Sequence, residues 1–441
     1  MKRLGAALAF ALAAGGPARA QEVLRTLEPA TLDRAESPVV VRGARLQRLL
    51  GAPIDSLRLY AYGEQGLRPV PFQVDERTPQ ETYAYHHGLQ RSSDTDERRL
   101  DTNDELVFMA ADVGARVPLE AIRLGQLELE EVRVSDPSRP EAAGWVYALA
   151  FALSPPPPAE RRYLELTVRQ RELRGWRGPL CRVDGPPWGN NLLDMRSLRF
   201  RTASGDYGRN VLDRSKLSFQ GSYLFLRLDR RLEEVYARLL GYLAGPVRLV
   251  ADFRLQAYMI WGHWIETTRA RLVLYHNRLE LEFSARLPVT LERKRPSTLR
   301  FSLDFRESAG PLALLTDRNL TGLPADGRPR EGRTVNRSFP RWVCYSLPGG
   351  AVLARFWLPE RLARKEHSLF LAEQGFRDEP EDEPGSYGNA GFLLDLSGWK
   401  AGDDYEGRLV LQFGEPVGPG RPEALLRVDD APLRAEVTSR P

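Results

Sequence analysis

Cysteine is scarce in this 441-residue chain, at two residues, and histidine and methionine are nearly so, at five and four. There is no CxxC pair and no HExxH spacing, which removes the usual signatures of a redox thiol couple and of a zinc protease. A phosphate-cradling Walker loop and a GxSxG nucleophile elbow are also missing, so nucleotide-driven enzymes and nucleophilic hydrolases lose support. No stretch after the N-terminus is long and uncharged enough for a membrane helix. Even the apolar-rich run from Val247 to Ile265 carries Arg248, Asp252 and Arg254. A charge excess is lacking too: 63 basic residues face 59 acidic ones, and Lys2, Arg3 and Arg19 belong to a leader expected to be removed. Near-neutral bulk charge argues against nucleic acid as a partner.

Turn-formers, by contrast, are plentiful. With 37 glycines, 33 prolines and 42% hydrophobic residues, the composition is that of an ordered, turn-rich globular protein. The chain opens with Lys2 and Arg3, an apolar run from Leu4 to Ala14, the helix breakers Gly15, Gly16 and Pro17, and then Ala18-Arg19-Ala20. This anatomy predicts a signal peptide over residues 1–20, cut before Gln21, and a periplasmic or secreted protein. The apolar run is too short to span a bilayer core of about 30 Å. In an oxidising compartment Cys181 and Cys344 can pair; a structural disulfide is the expectation, with two separate buried thiols as the alternative.

Short apolar segments separated by turn residues fill the region up to Ser154: Val39–Val41, Leu57–Tyr60, Val70–Val74, Leu106–Met109 and Trp145–Leu149. They predict an antiparallel β-sandwich over residues 21–154. The uninterrupted prolines Pro155–Pro158 cannot continue a sheet ladder and mark a domain boundary, or else a loop within one larger sandwich. Residues 159–441 then form a larger antiparallel β domain. Its clearest signal is the alternation of Val247, Leu249, Ala251, Phe253, Leu255, Ala257, Met259, Trp261, His263 and Ile265 with polar neighbours. As one strand this run would approach 60 Å at about 3.3 Å per residue, so a bend or bulge near Gly262 is expected. Leu279–Leu287 and Leu299–Phe305 repeat the period. One segment departs from it: Leu232–Leu240 has apolar residues at helical spacing, with Asp229 as a possible N-cap, and predicts a short helix. The turn-rich basic stretch Asp317–Phe339, with Arg318, Arg328, Arg330, Arg333 and Arg337, and the acidic, glycine-rich stretch Phe376–Gly391 are expected to be long loops.

Two constellations carry chemistry. Asp94, Asp96 and Glu105 fall at positions one, three and twelve of an EF-hand-like loop, but Arg98 stands at a ligand position and Arg99 where glycine is required. No metal and no cofactor is expected from that pattern. The polar face of the Val247–Glu266 run is the candidate binding surface: Arg248 and Arg254 offer planar donor forks, Asp252 and Gln256 acceptors, and Tyr258 and Trp264 flat apolar rings with polar edges. That mixture suits a sugar ring; the alternative is a solvated strand face with cross-strand ion pairs.

The segments Val70-Pro71-Phe72-Gln73-Val74-Asp75, Asp101-Thr102-Asn103-Asp104-Glu105-Leu106-Val107-Phe108 and Gly245-Pro246-Val247-Arg248 resemble those of uncharacterised secreted bacterial β-sandwich proteins. The larger domain of those proteins is similar to the galactose-mutarotase-like supersandwich, a fold frequent among carbohydrate-active proteins. The resemblance implies the fold and carries over no catalytic residue. Three functions stand: an exported protein that binds carbohydrate or a cell-envelope polymer, a lyase or glycosidase acting on such a polymer, and a structural or assembly factor of the envelope.

Overall fold

The computed structural model describes residues 27–223, 226–260, 262–324, 334–363, 366–372 and 385–438. The segment 1–20 expected to be a signal peptide, Trp261, Arg328, Arg330, Arg333 and the part of the acidic stretch before Gly385 lie outside the described residues, as do the side chains of Met259 and His263.

The chain is mainly β and antiparallel, as its periodicity predicts. Strand Pro38–Arg42 buries Val39 and Val41 and leaves Val40 exposed, the period-two signature of one covered face. It pairs with Glu105–Met109, which pairs in turn with Phe72–Asp75 to give a three-stranded sheet. A five-stranded sheet faces it, ordered Arg434–Thr438, Glu128–Asp136, Arg139–Ala150, Leu57–Gly63 and Gly66–Pro69. Val41, Leu59, Leu106, Phe108, Val134 and Val146 form the shared core between the layers. The first strand of that sheet comes from the far end of the chain: Ala435 pairs with Val134 and Val437 with Val132. A fully buried ion pair reinforces this return. Arg34 contacts Asp136 at 3.1 Å and also donates to the carbonyls of Arg427 and Ala431, in and just after the helix Glu423–Asp430.

Pro155–Pro158 take part in no strand. Beyond them nine strands, joined at one edge by His87–Gly88 of the earlier region, form a ten-stranded antiparallel sheet that packs against a five-stranded one, with Phe253, Leu272, Leu281, Phe301, Phe392 and Leu411 in the common core. The order across the middle of the large sheet is Gly350–Trp357, Asp404–Gly414, Arg278–Arg286, His263–Tyr275, Arg248–Ile260 and Val235–Ala244. A partly open cavity of about 200 Å³, lined by Leu217, Leu255, Ile265, Phe283 and Leu299 among others, remains between the two sheets.

Three expectations are corrected. Only Leu232–Glu234 forms a helical turn, and Val235–Ala244 is a strand in which Ala237, Leu239 and Leu243 are buried while Tyr236 and Arg238 are exposed. Pairing with Arg248–Ile260 rewards the period of two over the helical spacing. The long run does not bend at Gly262 but reverses there: Gly262 sits at φ +78°, and Arg248–Ile260 and His263–Tyr275 form an antiparallel hairpin. Cys181 and Cys344 are both free and buried, on Cys181–Asp184 and Val343–Leu347, strands of two different sheets, so the disulfide is not formed.

Candidate functional site

Hairpin formation brings Tyr258 and Trp264 directly opposite each other across the ladder, closer than one continuous strand would place them. Their rings meet edge to face, with centroids 5.3 Å apart and planes at 70°. The Tyr258 hydroxyl accepts the Gly262 N–H at 3.3 Å, and Arg230 donates from Nε to the Tyr258 carbonyl at 2.5 Å with its guanidinium 5.8 Å from the Tyr258 ring. The pair is thus held from both ends of the turn. Tyr258 and Trp264 are nevertheless 41% and 49% exposed, high for aromatic side chains of this size.

Tyr236 joins them. It pairs with Gln256, two residues before Tyr258, so it is a diagonal neighbour of Tyr258 at roughly 7–8 Å, and it is 61% exposed. The helical spacing within Leu232–Leu240 masks this residue in the sequence, and the alternation Val235-Tyr236-Ala237-Arg238-Leu239 is the signal that locates it. Beside the aromatics Arg254 contacts Glu266 at 2.8 Å and the Gln256 amide donates to Glu266 at 3.3 Å. The row continues through the bidentate pair Arg286–Asp404, at 2.9 and 3.0 Å. Further across the same face, Arg269, Glu282, Ser284, Trp357, Glu406 and Arg408 line a shallow pocket of about 410 Å³. Arg355 and Arg408 both lie over the Trp357 ring, at 4.5 and 4.7 Å, and hold it in place. From the Tyr236 strand to the Trp357 strand the face crosses five strand spacings, roughly 24 Å.

Two of the candidate residues do not reach this open surface. Arg248 is only 4% exposed: its Nε donates to Asp75 at 2.6 Å, Nη2 to Glu105 at 2.5 Å and Nη1 to the Tyr275 hydroxyl at 3.1 Å. Burial pushes Asp75 up despite Arg248, whereas Arg248 and Arg77 beside Glu105 outweigh burial and hold its carboxyl below the usual range. Asp252 is paired with Arg271 at 2.7 and 2.8 Å, close to the buried Tyr85. The reason is tertiary: the segment carrying Asp75, Tyr83, Tyr85 and Glu105 covers this half of the sheet, so an alternating strand has both of its faces buried there. Arg254, Gln256, Tyr258 and Trp264 share the uncovered half.

The acidic loop departs from the EF-hand register. Asp94, Asp96 and Asp101 converge, each with a carboxylate oxygen within 4.8 Å of the others, while Glu105 points away to Arg248, Arg77 and Tyr83. Burial, together with the neighbouring Asp96 and Asp101 carboxyls, pushes Asp94 up. Arg98 and Arg99, which argued against a cation, turn elsewhere: Arg98 to Asp55, and Arg99 to the Gly51 carbonyl at 2.6 Å.

No protein-family model and no curated protein matches the chain. Among solved structures, it is similar to an alpha-mannosidase from Enterococcus faecalis V583 at 13% identity and a TM-score of 0.42, covering 94% of this chain and 46% of that one. A protein in glycosyl hydrolase family 38 from Enterococcus faecalis is similar at 12% identity and a TM-score of 0.42, covering 94% of this chain and 47% of that one. The chain spans about half the length of these two proteins. It is also similar to a putative aldose 1-epimerase from Escherichia coli K12, at 10% identity and a TM-score of 0.28, over 54% of this chain and 97% of that one. At this level of likeness the functional reading rests on the face itself.

Proposed function

We propose that the protein is an exported β protein that binds carbohydrate or a related cell-envelope polymer on the open face of its ten-stranded sheet. The observation that carries this reading is the exposed aromatic set Tyr236, Tyr258 and Trp264 beside the Arg254–Glu266–Gln256 group. A sugar presents an apolar ring face fringed by hydroxyls; the aromatics offer area for the first, and the charged and amide groups offer donors and acceptors for the second. The extent of the face across several strands suits a chain of sugars better than a single one. A glycan array probed with the mature protein tests it: binding that falls in the Tyr258→Ala and Trp264→Ala variants supports the reading, and no glycan bound by the folded wild type defeats it. Export follows from the leader, and the intact mass of protein from a secreting host is expected to begin at Gln21.

One observation favours a second reading, an enzyme on the same polymer. Glu282 and Glu406 line one pocket from adjacent strands, and a pair of carboxylates flanking a bond is what a glycosidase requires. Release of reducing ends from any polymer bound on the array, lost in Glu282→Gln, separates catalysis from binding.

A further inference from the structure

We infer that the cavity between the ten-stranded sheet and the five-stranded sheet packed on it binds the alkyl chain of a fatty acid. Packed protein interiors hold few voids larger than a water molecule, whereas about 200 Å³ is open here. The side chains turned into it belong to the inner faces of the two sheets, yet Leu217, Leu255, Ile265, Phe283 and Leu299 are only half-buried. Water finds few partners in this space. Among the described residues only Arg230, Arg231, Gln256, Thr267 and Glu406 bring charged, amide or hydroxyl side chains to the lining, aromatic ones aside. Apolar space of this kind stays dry and takes apolar guests.

Shape selects a chain over a ring. Ala257, Ile265, Phe283, Leu409 and Phe356 line the cavity from five adjacent strands of the large sheet. Five strands make four spacings, roughly 19 Å. A volume of about 200 Å³ drawn out over that distance is a narrow slot, and it falls below the roughly 300 Å³ at which pockets for compact small molecules begin. An extended hydrocarbon chain fits it. The polar lining selects the head group. Arg230 pairs with buried Phe219, so it shares the inner face of the edge strand Leu226–Arg231, and from there it reaches across to the Tyr258 carbonyl of the large sheet. Arg230 and the adjacent Arg231 are both partly exposed, whereas Leu394 and Leu409 deeper in the slot are buried. The acidic residue of the lining, Glu406, stands three strands away from Arg248–Ile260. Two guanidinium groups at the accessible end favour a carboxylate there, with its tail directed inward. This site is independent of glycan binding, because its walls are inner-face side chains and Tyr236, Tyr258 and Trp264 belong to the opposite face.

Titration calorimetry of the full mature chain with butyrate, octanoate, decanoate and dodecanoate, each below its micelle concentration, tests the inference. Affinity is expected to rise about fourfold for each further methylene group until the slot is filled, with one decanoate bound per chain and decylamine bound more weakly. Ala257→Phe turns a ring into the slot and is expected to weaken decanoate binding at least tenfold, with Tm unchanged or higher because empty apolar space is filled. Should Ala257→Phe fail to fold, Ala285→Leu, on the neighbouring part of the lining, carries the same expectation. A wild-type protein that binds no decanoate, or binds the four acids with equal affinity, overturns the site. Undiminished decanoate binding in a folded Ala257→Phe protein overturns its location, and decylamine bound as tightly as decanoate overturns the anionic head.

Discussion

Arg248 shows how much one side chain carries when it is buried between two carboxylates. Its ion pairs with Asp75 and Glu105 have side-chain exposures of 4%, 2% and 7%. Removing the cation strands two buried anions, so Arg248→Met is expected to cost about 3–5 kcal/mol in urea denaturation. Adding Asp75→Asn and Glu105→Gln to the same chain is expected to recover most of that loss, because the damage lies in the unpaired charges. His276 supplies the pH dependence. It is 7% exposed, its ring lies tilted against Tyr163 with centroids 5.2 Å apart, and burial together with the nearby Arg161 lowers its pKa to about 3. The unfolded chain protonates this imidazole near pH 6.5 whereas the folded chain does not. Its contribution to stability is therefore present in full above pH 6.5 and is lost as pH falls from there toward 3. His276→Phe is expected to flatten Tm against pH in that window; a slope unchanged by the substitution would refute the assignment.

Strands were legible in the sequence wherever one face meets the core and the other meets solvent. Pro38–Arg42 shows this through buried Val39 and Val41 and exposed Val40 and Arg42. Reading failed where tertiary pairing decided. Leu232–Leu240 fits two periods, and the ladder to Arg248–Ile260 selects the strand. Polarity alternates straight through the turn at Gly262, because two paired strands leave the same trace as one long strand. Arg248 and Asp252 had the polarity of a solvent face, and nothing local announced that a distant segment covers them. The open half of that face carries the binding prediction. Tyr236→Ala, Tyr258→Ala and Trp264→Ala are each expected to weaken glycan binding by about 1–2 kcal/mol, roughly five- to thirtyfold, with unchanged circular dichroism. Tyr258→Ala should be felt most widely, since Tyr258 meets Trp264, Arg230 and the Gly262 amide. Equal affinity in all three variants would move the site elsewhere.

At the scale of the whole molecule, no covalent link joins the sheets. Cys181 and Cys344 lie on separate sheets, and burial pushes each thiol up to about 12, so both are poor nucleophiles in the folded protein. A thiol reagent is expected to label neither residue in the native state and both after unfolding in guanidinium without reductant, and added reductant should leave Tm where it is. Labelling that required reductant would restore the disulfide. Two cysteines in a chain expected to be exported make pairing reasonable from sequence, but which sheet each joins is set by a topology no local pattern encodes. Cohesion comes instead from continuous cores and from buried charge pairs such as Arg34–Asp136 and Lys216–Asp304.

The return of Arg434–Thr438 to the edge of Glu128–Asp136 sets an order on the birth of the molecule. Roughly 300 residues separate the two strands, which at about 5–20 residues per second is roughly 15–60 s of synthesis. Throughout that interval the first sheet has an open edge, able to pair with another nascent chain, and no final strand to close it. The earliest domain therefore stays unfinished until Arg434–Thr438 has been made, and whatever holds the chain until then must shield a sheet edge as well as apolar side chains.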